Sequence, residues 1–243
     1  MLRKMLAPIA ATALLATLGV TMALAGPAPS GSGSTVKYEP NLDPSHFVSV
    51  IDNPYYPLPV GRTLVYKGVR DGVSQIDRVH VTNQTKVLEG ITATAVRDVA
   101  THNGTVLEAT TDWFAQDDRG NVWYLGEDTK SFENGKVDTS GSWQSGVNDG
   151  EPGIIMLANP QIPDAYRQEY LAGQAEDTAW IVQLGLDATV PAGTFHNTIR
   201  SLEFTQLEPG VVDRKVYAPG IGIVVERALA GGQEVAKLVK VTG

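Results

Sequence analysis

The sequence predicts an all-β protein: a single-domain antiparallel β-sandwich or strongly bent half-barrel with at most one or two short helices. Apolar and polar residues alternate with a period of two through most of the chain, which is typical of half-buried strands. Turn-forming sequences separate the alternating runs, and the 25 glycines and 14 prolines among 243 residues suit a chain that turns often.

Eleven segments have the alternating pattern, and each is predicted to be a strand. These segments are 62–67, 75–82, 92–99, 106–113, 121–125, 166–171, 179–184, 198–205, 211–217, 222–227 and 234–241. Turns are predicted at 70–72, 88–90, 102–104, 134–135 and 231–232, where Gly follows Asp, Glu, Asn or Gly. Helix is predicted only at 44–51, capped by Asp43, and as a single turn within 160–166.

The first 25 residues are typical of a secretory signal peptide. Arg3 and Lys4 precede an apolar run over 5–21, and Ala23-Leu24-Ala25 fits a cleavage site. Residues 26–35 are rich in Gly, Pro and Ser and are predicted to form a flexible linker, followed by one β domain over 36–243. We therefore expect a secreted or periplasmic protein without an integral membrane span after signal cleavage.

Composition excludes several kinds of chemistry. The chain has no cysteine, so it cannot form disulfides or thiolate metal sites. Loss of residues 1–25 leaves 17 basic and 27 acidic residues, a net charge of −10. We expect no nucleic-acid partner, and the acidic balance argues against a polyanionic substrate. The motifs of serine hydrolases, zinc proteases and phosphate loops are absent from the sequence.

The strongest local signal is a hairpin over 112–128 with a turn at Asp117-Asp118-Arg119-Gly120. Its predicted pairs are Asp117 with Asn121, Ala115 with Trp123, and Trp113 with Leu125. One face then carries Trp113, Ala115, Trp123 and Leu125, and the other carries Phe114, Val122 and Tyr124. Because both faces are apolar, the hairpin is predicted to lie between two layers or to line a cavity.

Two groups of side chains are candidates for a ligand site. The aromatic residues of the hairpin and of the loop 141–153 either pack in the core or hold a ligand. In the predicted strand 166–171, Arg167 and Glu169 are expected on one face, and Gln168 and Tyr170 on the other. The candidates are Trp113, Phe114, Trp123, Tyr124, Trp143, Arg167, Glu169 and Tyr170. By contrast, Glu203, Lys215 and Tyr217 are predicted to face solvent.

Acidic and amide residues at the two ends of the hairpin are the candidate metal ligands. They are Asp117, Asp118, Asn121, Glu127 and Asp128. Their oxygen atoms suit a hard cation such as Ca²⁺, although the spacing is not that of an EF-hand. The alternative is that the turn residues bond their own backbone. No other cofactor is predicted.

Three stretches are similar to known proteins: Asn53-Pro-Tyr-Tyr-Pro-Leu-Pro-Val-Gly-Arg-Thr-Leu-Val-Tyr66, Gln116-Asp-Asp-Arg-Gly-Asn-Val-Trp-Tyr-Leu-Gly-Glu127 and Tyr217-Ala-Pro-Gly-Ile-Gly-Ile-Val-Val-Glu226. Together they resemble an uncharacterised family of exported bacterial β-rich proteins, over most of 47–241. The first and last also look like parts of β-rich cell-envelope domains with a strongly bent sheet, some of which bind apolar ligands. The resemblance implies a fold and an exported location but no catalytic residues.

The favoured function is an exported binding module for a small apolar or glycan ligand held by aromatic side chains. One alternative is a structural protein of the cell envelope. Another is a polysaccharide-active enzyme that uses paired carboxylates. In such an enzyme Glu127 and Glu169 would serve as acid and base, or Tyr170 with Arg167 would abstract a proton.

Overall fold

The structure is a computed structural model and describes residues 38–243. The predicted signal peptide (1–25) and linker (26–35) lie outside the described residues. The elements begin with a 3₁₀ helix at Pro44–His46. The strands are β1 Phe47–Val48, β2 Thr63–Arg70, β3 Val73–Leu88, β4 Ile91–His102, β5 Thr105–Asp117, β6 Val122–Glu133, β7 Lys136–Asp138, β8 Trp143–Gln144, β9 Glu151–Met156, β10 Ala165–Arg167, β11 Glu169–Tyr170, β12 Asp177–Val190, β13 Gly193–Thr205, β14 Val212–Ala218, β15 Gly222–Ala230 and β16 Glu234–Thr242.

The strands form one antiparallel, barrel-like sheet, which confirms the predicted all-β class and its strongly bent alternative. The order across the sheet is β10-β12-β13-β14-β15-β16-β2-β3-β4-β5-β6-β9-β11. All eleven predicted strand segments overlap observed strands, and the predicted turns connect them. Sequence neighbours lie side by side almost throughout, because short turns favour hairpins. Of the strands that pair, β16 and β2 are the farthest apart in the chain.

One short segment brings the two ends of the sheet together. Strands β10 and β11 are separated only by Gln168, yet β10 pairs with β12 and β11 pairs with β9. We call the segment 165–170 the seam. The predicted single strand 166–171 is therefore wrong, because the chain bends at Gln168 to leave one sheet edge and join the other. The nearly closed sheet has an inner and an outer face.

The predicted helix over 44–51 is also wrong beyond its first turn. Asp43 does cap this turn, since its carboxylate accepts a hydrogen bond from the Ser45 backbone N–H at 2.9 Å. The chain then becomes extended, and Phe47 pairs with Asp117 at the end of β5. Pairing with β5 gives hydrogen-bond partners to backbone groups that a single helical turn would leave without them. It also packs Phe47 against an apolar cluster on the outer face.

The segment after β1 packs against the inner core and is held there by Asn53. Asn53 is buried, and its side-chain amide donates to the carbonyls of Gly120 and Leu157 and accepts from the N–H groups of Tyr55 and Tyr56. The ring of Tyr56 then lies 5.4 Å from that of Phe114. The Asn-Pro-Tyr-Tyr sequence thus has a structural role: it holds the ring of Tyr56 in the inner core.

The hairpin of β5 and β6 has apolar contacts on both faces, as predicted. Phe114, Val122 and Tyr124 belong to the large inner core. Trp113, Ala115 and Leu125 belong to a smaller outer cluster with Leu88 and Ile91, and Trp123 packs against it. Ala115 pairs with Trp123 as predicted, but Trp113 pairs with Gly126 rather than Leu125. A bulge shifts the register at Gly126, whose φ of +136° favours glycine.

In residues 38–243, no helix has both the length and the apolar character that a membrane span needs.

Candidate functional site

The inner face of the barrel is unusually acidic. Eleven carboxyl side chains are buried on it or at its seam: Asp77, Asp98, Glu108, Asp112, Glu127, Glu169, Asp177, Glu203, Asp213, Glu226 and Glu234. The buried cations of the inner face are Arg70 and Lys215. Burying a charge is costly unless it is paired or neutralised, so these acids must be bonded or protonated.

Lys215 is the centre of one bonded group. Its Nζ lies 2.6 Å from Oε2 of Glu203, and Oε1 of Glu203 accepts from the hydroxyls of Ser201 and Tyr217. Burial alone lowers the pKa of Lys215, but the charges of Glu203 and Glu226 outweigh burial and raise it. The prediction that Glu203, Lys215 and Tyr217 face solvent is wrong, because their alternating positions point into the barrel.

A second group is the carboxyl pair Asp77 and Asp98. The two carboxyl groups are buried near each other, and burial raises the pKa of both. Burial first, and then the charge of Asp77, raises the pKa of Asp98 well above its usual value. The shift of both groups favours a protonated pair over two buried charges.

We expect Asp98→Asn to make the protein more stable at neutral pH and less sensitive to pH. A raised pKa in the folded state means that the stability from Asp98 is complete below about pH 4, its unfolded pKa, and is lost as the pH rises through the folded pKa. Urea unfolding at pH 4.5 and 7.5 measures the difference between variant and wild type. The exposed Asp128→Asn is the control, and equal effects of the two variants would contradict a raised pKa for Asp98.

Four of the predicted ligand-binding residues meet inside the barrel. Phe114 stacks on Tyr124 at 4.9 Å, and Tyr124 meets Trp143 edge-on at 5.4 Å. The Trp143 indole N–H donates to Glu169 at 2.8 Å. All four are buried. The rings contact one another and their polar atoms bond to protein groups, so this cluster forms core rather than an open ligand site.

The same cluster includes Glu169 and pairs with Glu127, the two residues suggested as acid and base of an enzyme. Trp143 pairs with Glu127 across the sheet and bonds to Glu169 through its indole. Glu127 accepts from the Thr129 hydroxyl, and Asp112 accepts from the Tyr124 hydroxyl at 2.7 Å. Both carboxyls are buried and bonded to protein groups, so the arrangement gives no support to glycoside hydrolysis.

The remaining ligand-binding candidates lie on the outer side. Trp113 and Trp123 pack in or against the outer cluster, with Lys86 Nζ 3.8 Å from the ring centre of Trp113. Arg167 lies over the ring of Tyr170 at 4.5 Å, so these two share a side. The prediction that Arg167 shares a face with Glu169 is thus wrong, because the bend at Gln168 changes the alternation of side chains.

The five candidate metal ligands do not come together. Asp117 accepts from the N–H groups of Arg119 and Asn121 and from the Trp123 indole at 2.9 Å, so its carboxylate holds the turn. Asn121 also bonds to Asp117, and Asp118 contacts His46 at 2.6 Å. Glu127 is inside the barrel, and Asp128 faces Lys130 outside at 3.7 Å. In residues 38–243 no group of three or more His, Asp or Glu is placed to hold a metal ion.

The outer face carries the opposite charge over seven neighbouring strands, from β13 through β14, β15, β16, β2 and β3 to β4. Every Asp and Glu in these strands is buried. Each strand places a cation on the outer face, and we call this set the cationic stripe. Its members, in spatial order, are Arg200, Arg214, Arg227, Lys237, Lys67, Arg78 and Arg97.

The strand register makes the stripe continuous. Arg214 lies directly opposite Arg227, and Lys237 lies opposite Lys67. Each other step is offset by two residues along the strand. With strands about 4.8 Å apart and about 3.4 Å per residue, neighbouring members are about 5–8 Å apart and the stripe spans about 30 Å. Burial, and then the charges of Arg200 and Arg227, lower the pKa of Arg214.

Sequence reasoning missed the cationic stripe because its members are far apart in the chain. The available signal was that the basic residues of these strands mostly alternate with the acidic ones, as Arg97 does with Asp98 and Arg78 with Asp77. Strand alternation sends such neighbours to opposite faces.

No protein-family model and no curated protein matches the chain. One solved structure is similar: a protein from Parabacteroides distasonis, provisionally described as a lipoprotein. The similarity covers 77% of this chain and 98% of that chain, with 15% sequence identity and a TM-score of 0.44. A similarity this distant does not indicate function.

Proposed function

We propose that the protein is an exported binding module that holds a linear polyanion along the cationic stripe. The observation that carries this proposal is the separation of charge across the sheet: in seven adjacent strands the acids are buried and the exposed charges are cations. Export is supported by the signal-peptide features of residues 1–25, Arg3 and Lys4 among them, and membership of the exported β-rich family is part of the same proposal.

The separation of charge changes how the net charge of the sequence should be interpreted. A net charge of −10 argues against a polyanionic ligand only if the acids contribute to the outer field. Many of them are buried, and burial raises the pKa of Asp98 and Glu226, which favours their neutral forms. The field over the stripe is therefore set by nearby arginines and lysines.

The shape of the surface favours a flexible polymer over a flat anionic membrane. The stripe crosses seven strands of a sheet that curves into a barrel, so a plane can touch only a few of its members at once. A linear chain can follow the curve and meet successive cations at intervals of about 5–8 Å. Arginine, which supplies most of the stripe, binds carboxylate, sulfate and phosphate groups well.

A charge-reversal variant tests this proposal with long-chain polyphosphate as the probe. We expect wild-type protein to bind it with strong salt dependence, and Arg214→Glu/Arg227→Glu to weaken binding by about 10–100-fold and to reduce the salt slope. The matched control is Lys130→Glu/Lys136→Glu, which changes the net charge equally but lies on β6 and β7, outside the stripe. Fluorescence anisotropy at several salt concentrations measures binding. Equal losses in both variants, or no wild-type binding at 50 mM salt, would overturn the proposal.

A further inference from the structure

An exposed tryptophan lies beside one end of the cationic stripe. Trp180 on β12 is 48% exposed, although large aromatic side chains are usually well buried. Its ring meets that of Phe204 edge-on, with centres 5.2 Å apart and planes at 90°. This contact holds the indole against the sheet while one side of it remains open to solvent.

The strand register places Trp180 close to the arginines of the stripe. Trp180 lies opposite Leu202, which lies opposite Arg214, so the indole is two strands, about 10 Å, from Arg214. Arg200 shares the face of Leu202 and donates to the side chain of Gln183 at 2.7 Å. An anionic ligand on the stripe would therefore extend over the indole.

We propose that Trp180 is a stacking subsite for a sugar ring and that the polyanion is an acidic polysaccharide. This inference rests on the proposed function of the stripe. The apolar face of a sugar ring packs on an aromatic face, while the acidic groups of neighbouring sugars bind Arg200 and Arg214. The stripe then binds the acidic groups of the ligand, and Trp180 binds one of its sugar rings.

The residues between the cations favour a polysaccharide over a single-stranded nucleic acid. Proteins that bind single strands stack successive bases on aromatic side chains along the basic groove. The outer-face residues that pair with members of the stripe are aliphatic at Ile76, Val99, Val225 and Val235. A single-stranded nucleic acid could thus stack a base on Trp180 at the end of the stripe. It would meet no aromatic side chain at these four positions.

The test compares Trp180→Ala with wild type on two anionic polymers. We expect binding of polygalacturonate, which has sugar rings, to weaken about tenfold, and binding of polyphosphate, which has none, to change less than about twofold. Trp180→Phe keeps a ring and should retain most of the affinity. Leu229→Ala is the control, since Leu229 is equally exposed at 48% but is not aromatic.

The outcomes separate this inference from the proposed function. An equal loss on both polymers, or polyphosphate binding by a wild-type protein that does not bind polygalacturonate, overturns the sugar subsite alone. A greater loss on oligo(dT) than on polygalacturonate would make Trp180 a nucleobase platform and also overturns it. Polyphosphate binding that survives Arg214→Glu/Arg227→Glu overturns the function of the stripe itself.

Discussion

Replacing Lys215 with methionine is expected to destabilise the protein by about 3–5 kcal/mol, because it leaves the buried Glu203 carboxylate without its counter-ion. The Lys215 Nζ lies 2.6 Å from Oε2 of Glu203, so Glu203 is the side chain that loses its partner. Methionine preserves most of the side-chain volume, and the loss therefore reports on charge. Thermal unfolding should show a fall in Tm of about 10 °C.

Two further variants isolate the cause. Lys215→Met/Glu203→Gln removes both charges, and we expect it to recover much of the lost stability, since a neutral amide can still bond to Ser201 and Tyr217. Lys237→Met, on the exposed outer face of the same sheet, should change the stability by less than about 0.5 kcal/mol. If the double variant is no more stable than Lys215→Met, the ion pair does not account for the loss.

Gly153→Ala is expected to be the most damaging small substitution at the seam. A Cβ at this position would collide with the backbone carbonyl of Gln168 and the backbone nitrogen of Glu169. Backbone atoms cannot move aside as the end of a flexible side chain can. We therefore expect a loss of more than about 4 kcal/mol and opening of the pairing between β9 and β11.

Hydrogen exchange of the backbone amides in 165–170 and thermal unfolding measure these two effects. Gly173→Ala is the matched control: Gly173 has no neighbour within 4 Å of an added Cβ, and its φ of +75° adds a penalty of about 1–2 kcal/mol. If Gly153→Ala costs no more than Gly173→Ala and leaves exchange at the seam unchanged, close approach of the backbones does not hold the barrel closed.

The buried acids and the exposed cations are two consequences of one arrangement. Alternation along a strand sends neighbouring residues to opposite faces, so a basic residue next to an acidic one places the two charges on opposite sides of the sheet. Arg78 and Asp77 on β3 show this, as do Arg97 and Asp98 on β4. The inner acids are stabilised by contacts with Lys215, Arg70 and hydroxyl groups, and burial raises the pKa of Asp98 and Glu226, which favours their neutral forms.

The sequence by itself determined the strands, the turns and the two apolar faces of the hairpin. These features depend on residues close together in the chain, such as Ala115 and Trp123, through side-chain period and turn conformation. Two predictions from the sequence were wrong: the pairing partner of Trp113 and the single strand over 166–171. A bulge at Gly126 and a bend at Gln168 respond to contacts with Trp143 and Gly153, which local patterns do not encode.

Only the tertiary structure decided which charged residues lie inside. In β14 both faces carry charged residues, Arg214 on one and Asp213 and Lys215 on the other, so the period cannot show which face is buried. The curved sheet encloses Lys215 together with Glu203 and leaves Arg214 on the outer face. The pairing of β16 with β2 joins segments that are far apart in the chain, and the continuous cationic stripe exists because of it.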